Sequence, residues 1–591
     1  MPALQLPAGQ LLKVGSSGAA ITTLQQQLTD LGFNPGAISE TFTLQTKSAV
    51  IAFQNSRPLL IADGVVGPVT AASLNDASLD LDGQQKLKDI SANNKIISLV
   101  DLKKDTVLVR WIQKKLKALG LYPGGQFIDG LWGPTTEAGI ISFCEAANLN
   151  TMVSSPIQFD KAFADALINT KQLPSVLQQG KDSASIFKKL SDYNNRWIAR
   201  FRSQFPYDAL AYLDRGVDHS PYHAEIQHYA KHLEQTIDNS LINASPPNDF
   251  SAYPELGKKP DILDGSSLDF LGKNITEACI CLGSFSVGDP EVRVRWLGKN
   301  ALRNTQCLSA TKFLPVLSVV SQVNGVPNNG KLNVCECNIG EKSSGTGENF
   351  QSLVTDMVSY RRSVGNSNAL GLMFKLFKKP EDLEKWIAKT VTGNIAANGN
   401  IAPGFSFNSI YGVPPAIDDP ELIDPSKTSI LKSQATGDDY PGESGGGKNA
   451  VSVYDLCRFI SMVGWHHHLS NKRLPHANWE SLTGVVTAMG TDSARYIDVA
   501  LETLGLENVI TSPVIISKLG YGKSALVYVA FVQFVDEHLK EQGQPAKLRS
   551  IAMALRAAKN NQTDTEAVRV DAGMAAAVTE ILRRVVTEEL A

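Results

Sequence analysis

A serine followed three residues later by a lysine, Ser309-Ala310-Thr311-Lys312, is the sharpest chemical signal in this sequence. On a helix that spacing is close to one turn, so the hydroxyl and the amine share a face. A serine hydroxyl alone is a weak nucleophile. A nearby amine kept partly neutral by burial can take its proton, and a helix N-terminus beside the serine favours an oxyanion. The chemistry such a pair could do is acyl transfer through a serine ester. The same spacing also suits a serine that merely opens a buried helix, and Pro315 inside the segment costs helical regularity.

Two further polar groups follow in order, Asn366-Ser367-Asn368 and then Lys518-Leu519-Gly520-Tyr521. The three segments together resemble the serine β-lactamase and penicillin-binding-protein superfamily, whose motifs run SxxK, S/YxN and K-T/S-G. The resemblance covers roughly residues 268–591. It implies Ser309 as nucleophile, Lys312 as base, Asn368 orienting the substrate and Lys518 supplying positive charge, with backbone amides of Ser309 and Tyr521 holding the oxyanion. The second motif has no clean hydroxyl: either Asn366 stands at the serine position, or Ser367 serves in a shifted register. Leu519 stands where a hydroxyl residue normally helps bind a substrate carboxylate. No Glu-x-x-Leu-Asn deacylation motif is present, and Asp419-Pro420-Glu421-Leu422 is the nearest acidic loop.

The elements that must position these residues read as an α+β domain. Cys279–Phe285 and Val292–Leu297 are β-rich runs around the turn Val287-Gly288-Asp289-Pro290, which makes a hairpin. Val514–Ser517 and Ala525–Phe534 form a second hairpin around Gly520–Gly522, Leu548–Arg556 is a further strand, and Met574–Glu589 closes as an amphipathic helix. Early strands, a helical middle, late strands and a final helix predict an antiparallel sheet flanked by helices and completed by both ends of the domain.

Ahead of this lies a repeat. Leu24, Leu28 and Leu31 match Ile112, Leu116 and Leu119, a helical face, with Gly32 and Gly120 following as caps. A second helix recurs, Thr46–Phe53 and Thr136–Phe143. The turn Asp63–Thr70 closes the first copy, and its counterpart Asp129–Thr136 sits inside the second. Cys144 replaces Gln54, and no second Asp-Gly turn follows it. The pattern resembles the small three-helix peptidoglycan-binding domain in two copies over roughly residues 8–150, which implies peptidoglycan as a partner. The expected organisation is repeat one at 1–80, repeat two at 81–154, a helical connector and linker at 155–267, and the β-lactamase-like domain at 268–591. Within the connector, helices are expected at Ser185–Ser203 and Pro221–Ser240 and a linker at Asn248–Ser267.

Composition narrows the function classes. Net charge is −3, so nothing argues for nucleic acid or an anionic membrane. The most apolar run, Ala525–Phe534, is strand length rather than the roughly 20 residues of a spanning helix. Seven cysteines, an odd number, predict buried thiols and folding in a reducing compartment. His228 and His232 share a helical face without an intervening Glu and read as packing residues; His466-His467-His468 reads as a loop or helix-end feature. No cofactor and no metal is expected. The leading expectation is a peptidoglycan-directed serine hydrolase of SxxK type, DD-peptidase-like. It would be made in the cytoplasm without a signal peptide and carried to the wall by a secretion or injection apparatus, as an effector or lysin. The alternatives are a non-catalytic wall-binding protein that keeps the fold, and an esterase or amidase on another substrate.

Overall fold

The computed structural model describes the chain apart from residues 1, 8, 58–59, 120, 122–127, 148, 150–157, 172–182, 202–209, 342–345, 393–403 and 591. The residues group into two compact units, Met1–Leu173 and Pro174–Ala591.

The first unit is helical and has two cores. Helices Ala19–Asp30 and Leu44–Asn55 bury Ile21, Leu24, Leu28, Val50 and Phe53 together. Helices Thr106–Ala118 and Pro134–Ala146 bury Ile112, Leu116, Ile140 and Phe143. Helix Pro68–Ala92 serves both, giving Leu74 and Ala77 to the first core and Leu87 and Ile90 to the second. The expected boundary between residues 80 and 81 therefore falls inside a continuous helix. Gly83 does not interrupt it, because the glycine lets Trp111 pack flush: a Cβ there would stand 2.5 Å from the Trp111 Cβ. Lys114 ties the same helix down through Asp76 at 2.6 Å and Asp80 at 2.7 Å. Gly120, the boundary at 154/155 and Ser203 lie outside the described residues.

One device recurs in this unit and explains the repeated turn. Gln54 is buried; its Nε2 donates to Asp63 Oδ1 (3.0 Å) and Val65 O (3.0 Å), and its Oε1 accepts from Gly64 N (2.9 Å). Gln113 does the same, with Asp129 Oδ1 at 3.1 Å, Leu131 O at 2.9 Å and Gly130 N at 2.9 Å. Gln25 holds Thr41 O, Thr46 Oγ1 and Ser39 N in a third version. Each glutamine satisfies buried backbone groups of a loop that would otherwise lose water without compensation. Cys144, fully buried where the fourth clasp would be, has no amide to offer.

The second unit is an α+β body. Its main sheet comprises β1 (Ser251–Ala252), β2 (Ile262–Asp264), β3 (Ile275–Ser286), β4 (Asp289–Lys299), β5 (Ile510–Tyr521), β6 (Ala525–Asp536) and β7 (Lys547–Ala558). The spatial order is β5-β6-β7-β3-β4-β1, antiparallel throughout, with β2 pairing parallel to β4. Early and late segments thus share one sheet. Phe531 meets Trp465 and Tyr528 meets Tyr496, with ring centroids 5.5 and 4.9 Å apart. Phe531 and Tyr528 are three apart on β6, so they point to opposite faces. Helix Val453–Gly464 and its C-cap Trp465 cover one face. Helices Tyr496–Leu504 and Asp564–Val586 cover the other. A strand covered on both faces reads as a continuous apolar run, as β6 does.

The expected connector at 155–267 needs correction. Helix Ser183–Phe201 places Ile186 and Leu190 in the core of the second unit. Asn194 Nδ2 donates to Asp571 Oδ2 at 2.7 Å, and that carboxylate also accepts from Leu213 N and Tyr496 Oη. The stretch Asn248–Ser267 is not a linker, since β1 and β2 lie in it and pair with β4. Pro221–Ser240 is broken into short pieces, including a 3-10 turn His223–His228 and a helix Tyr229–Glu234. All seven cysteines are buried and none forms a disulfide.

Candidate active site

The residues that could do chemistry converge where β5, at the edge of the sheet, meets the turn that carries Ser309. That turn is a 3-10 element, Leu308–Thr311, and helix Phe313–Asn324 begins only after Lys312. Ser309 and Lys312 are therefore brought together by a 3-10 turn and a helix start rather than by a regular α-helix. Pro315 sits in the first turn of the helix, where its missing N–H would lack an intrahelical partner anyway, so the expected irregularity does not arise. Leu308 enters the turn at φ 54°, a left-handed backbone that non-glycine residues rarely adopt.

β5 approaches this turn through Gly520. A Cβ at Gly520 would stand 2.7 Å from both Ala310 N and Cys307 O, so only glycine fits. Lys518 pairs across the sheet with Val529, and Gly520 with Val527, which puts both on the Phe531 face. The Leu519 carbonyl accepts from Lys518 Nζ (3.1 Å) and Tyr360 Oη (3.2 Å), so it points away from β6. Backbone N–H and C=O groups of alternate residues point to the same edge of a strand, so the Tyr521 N–H shares that direction.

Lys312 is fully buried, and its Nζ donates to Asn368 Oδ1 at 2.6 Å and to Ser367 Oγ at 2.9 Å. Both acceptors lie on helix Val364–Lys375, which comes close to the lysine through Gly371. Ser367 Oγ donates onward to Met357 O at 2.6 Å. Burial first, and the charge of Lys518 second, push the Lys312 amine well below the ordinary lysine range. A neutral amine has two N–H groups and one lone pair. With Ser367 and Asn368 taking the two hydrogens, the lone pair is left for a third neighbour. Among the described residues, Ser309 Oγ makes no hydrogen bond with Lys312. Asn366, the other candidate of the second motif, does not reach Lys312, and its Nδ2 is buried without a partner.

Exposure divides the cluster in a useful way. Lys312, Ser367 and Lys518 are buried, whereas Ser309, Asn368 and Tyr521 are half-buried. Both lysines are therefore buried, while Ser309 keeps part of its surface exposed. Two tyrosines outside the three motifs also reach the lysines. Tyr360 Oη accepts from Lys518 Nζ at 2.7 Å, and its ring centroid lies 4.2 Å from Lys518 Nζ and 5.5 Å from Lys312 Nζ. Tyr411 Oη lies 2.8 Å from Thr311 Oγ1, and its ring centroid is 5.3 Å from Lys312 Nζ. Neither belongs to a motif. The only local signal was a tyrosine where helix Phe350–Ser359 should end. The acidic loop is occupied elsewhere, with Ser429 Oγ donating to Glu421 Oε2 at 2.8 Å. Among the described residues no group of three or more His, Cys, Asp or Glu side chains is arranged to hold a metal ion. No helix among them is long and apolar enough to cross a membrane.

Residues 17–74 match the family described as "Putative peptidoglycan binding domain". The chain carries a peptidoglycan-binding domain near its N-terminus. A curated relative, the N-acetylmuramoyl-L-alanine amidase CwlM of Mycobacterium tuberculosis, is 31% identical over 153 residues, 24% of this chain. The match spans about a third of that relative's length (34%). Among solved structures, a β-lactamase from Xanthomonas campestris is similar at 12% identity and a TM-score of 0.29, covering 52% of this chain and 91% of that one. A class A β-lactamase from Bacteroides cellulosilyticus is similar at 12% identity and a TM-score of 0.30, covering 54% and 96%.

Proposed function

We propose that this protein is a cell-wall-directed hydrolase that cleaves an amide of peptidoglycan peptides through a Ser309 acyl-enzyme. The observation that carries the reading is the Lys312 amine. It is fully buried, held by Ser367 and Asn368, and lies on the same turn as a partly exposed serine. Ser309 attacks the carbonyl and Lys312 takes its proton. The Ser309 and Tyr521 amides hold the oxyanion. Lys518 supplies positive charge, Asn368 orients the substrate, and water then hydrolyses the ester. Gly520 allows the edge strand to come close enough. The match of residues 17–74 to a peptidoglycan-binding family supports the wall as the place of action. The relative is by its name an N-acetylmuramoyl-L-alanine amidase, which supports an amide as the bond cut.

Delivery as an effector or lysin through an injection apparatus is part of the proposal. Seven buried cysteines without a disulfide support it, since they fit folding in a reducing compartment. Dependence of the extracellular protein on a contractile apparatus would test it. A second reading is favoured by one observation, that among the described residues no hydrogen bond joins Ser309 Oγ to the Lys312 amine: a wall-binding protein that keeps the fold without turnover. Digestion of purified peptidoglycan, followed by mass spectrometry of released peptides, separates the two. Wild type releases peptides with new carboxyl ends and Ser309→Ala releases none. Equal, background release from both would favour the second reading.

A further inference from the structure

Cleavage of an amide needs a proton for the departing nitrogen, and the Asn366-Ser367-Asn368 segment has none to give. Asparagine amides are not acids at this strength, and the Ser367 hydroxyl donates to the Met357 carbonyl while accepting from Lys312. Tyr360 is placed differently. It is half-buried at the C-terminal end of helix Phe350–Ser359, and its phenol lies against the buried Lys518. Its oxygen accepts from Lys518 Nζ at 2.7 Å. Its proton points to the Leu519 carbonyl at 3.2 Å, a long contact that a leaving nitrogen can replace.

The backbone supports a functional reason for this residue. Tyr360 is the C-cap at φ 57°, ψ 19°, the left-handed position that helices usually give to glycine. A tyrosine there costs of the order of 1 kcal/mol, and such strain persists where something else is gained. The gain on view is an aromatic ring close to two lysines, with its hydroxyl bonded to one of them.

We propose that Tyr360 is the general acid of this site, taking the place of the second-motif hydroxyl; the inference rests on the serine-hydrolase reading above. In acylation the Ser309 proton passes to the neutral Lys312 amine as the Ser309 Oγ–carbon bond forms. As the carbon–nitrogen bond breaks, the leaving nitrogen takes the Tyr360 proton, and the phenolate is held by the Lys518 ammonium. In deacylation the attacking water gives its proton to the phenolate, and Lys312 returns its proton to Ser309 Oγ. The cycle closes with every proton accounted for.

The test compares two probes of Ser309 on the full chain. Opening of the benzylpenicillin lactam frees an amine nitrogen that stays in the adduct and needs a proton; a fluorophosphonate expels fluoride, which does not. Adduct formation is followed by intact-protein mass for wild type, Tyr360→Phe and Tyr360→Ala. The expected result is that Tyr360→Phe slows penicillin acylation by about 10²- to 10⁴-fold, the usual size of a general-acid contribution, and changes the fluorophosphonate rate by less than about threefold. Equal losses with both probes, or no loss with either, overturn the assignment. Faster labelling of Tyr360→Ala by both probes also overturns it, and makes Tyr360 a plug. Wild type labelled by fluorophosphonate alone overturns amide cleavage and with it the need for an acid. Wild type labelled by neither overturns the serine-hydrolase reading itself, a different failure that is read before any variant is compared.

Discussion

Replacing Gly520 with alanine tests whether the edge strand positions Ser309. Neither Gly520 nor Gly522 has a positive φ, so alanine is allowed by the backbone at both. The difference lies in what each Cβ meets. At Gly520 it would stand 2.7 Å from Ala310 N and from Cys307 O, backbone atoms on either side of Ser309. Ordinary contact begins near 3.4 Å, so strand and turn must separate by about 0.7 Å. Overpacking of this kind costs about 1–3 kcal/mol. Misplacement approaching 1 Å costs up to about 10²-fold in rate, so Gly520→Ala should slow Ser309 labelling roughly 10- to 100-fold. At Gly522 the nearest atoms are the Leu308 methyls at 3.2 Å, the flexible end of a side chain. Gly522→Ala should label within about threefold of wild type. The assay is the second-order rate of adduct formation with a fluorophosphonate, with thermal unfolding of each variant to show that the sample is folded. Normal labelling of Gly520→Ala would mean that the strand contact does not position Ser309, and so would equal loss in both variants.

Other outcomes follow from the same geometry. Only the neutral amine of Lys312 can accept a proton, so acylation should rise with pH and level off well below the ordinary lysine range, because burial and Lys518 depress this group. Lys518→Met removes the repelling charge and should move that limb to higher pH, whatever it does to the maximal rate. A limb that stays in place would contradict the coupling. Gln54→Leu strips three hydrogen bonds from the Asp63–Val65 loop and leaves the Gly64 N–H without its acceptor. The expected loss is roughly 2–4 kcal/mol in the first unit, with faster hydrogen exchange at residues 63–66. Co-sedimentation of the full chain with purified peptidoglycan should fall in the same variant and be unchanged in Ser309→Ala.

The parts of the molecule that could be read from sequence were those whose signal is local. Leu24, Leu28, Ile112 and Leu116 repeat at helical spacing and bury as expected. The apolar run of β6 and the hairpin turns mark the sheet, and the Ser309–Lys312 spacing marks the turn that packs against β5. What could not be read depended on contacts between distant segments. Asn366, Ser367 and Asn368 point about 100° apart on a helix, so which of them face Lys312 depends on how Val364–Lys375 docks. β1 and β2 are two and three residues long and show no alternation to read. Their place in the sheet comes from pairing with β4. Helix Pro68–Ala92 crosses the expected repeat boundary because each half is held by a different core. Tyr360 lies outside every motif and becomes visible only when its helix ends beside Lys518.

Whether Ser309 is an activated nucleophile is read from intact-protein mass after incubation with a penicillin and, separately, a fluorophosphonate, comparing wild type with Ser309→Ala. Wild type is expected to take a stoichiometric adduct and the variant none. A folded wild-type sample that takes no adduct from either probe would contradict this, leaving a peptidoglycan-binding protein whose buried lysine serves the fold alone.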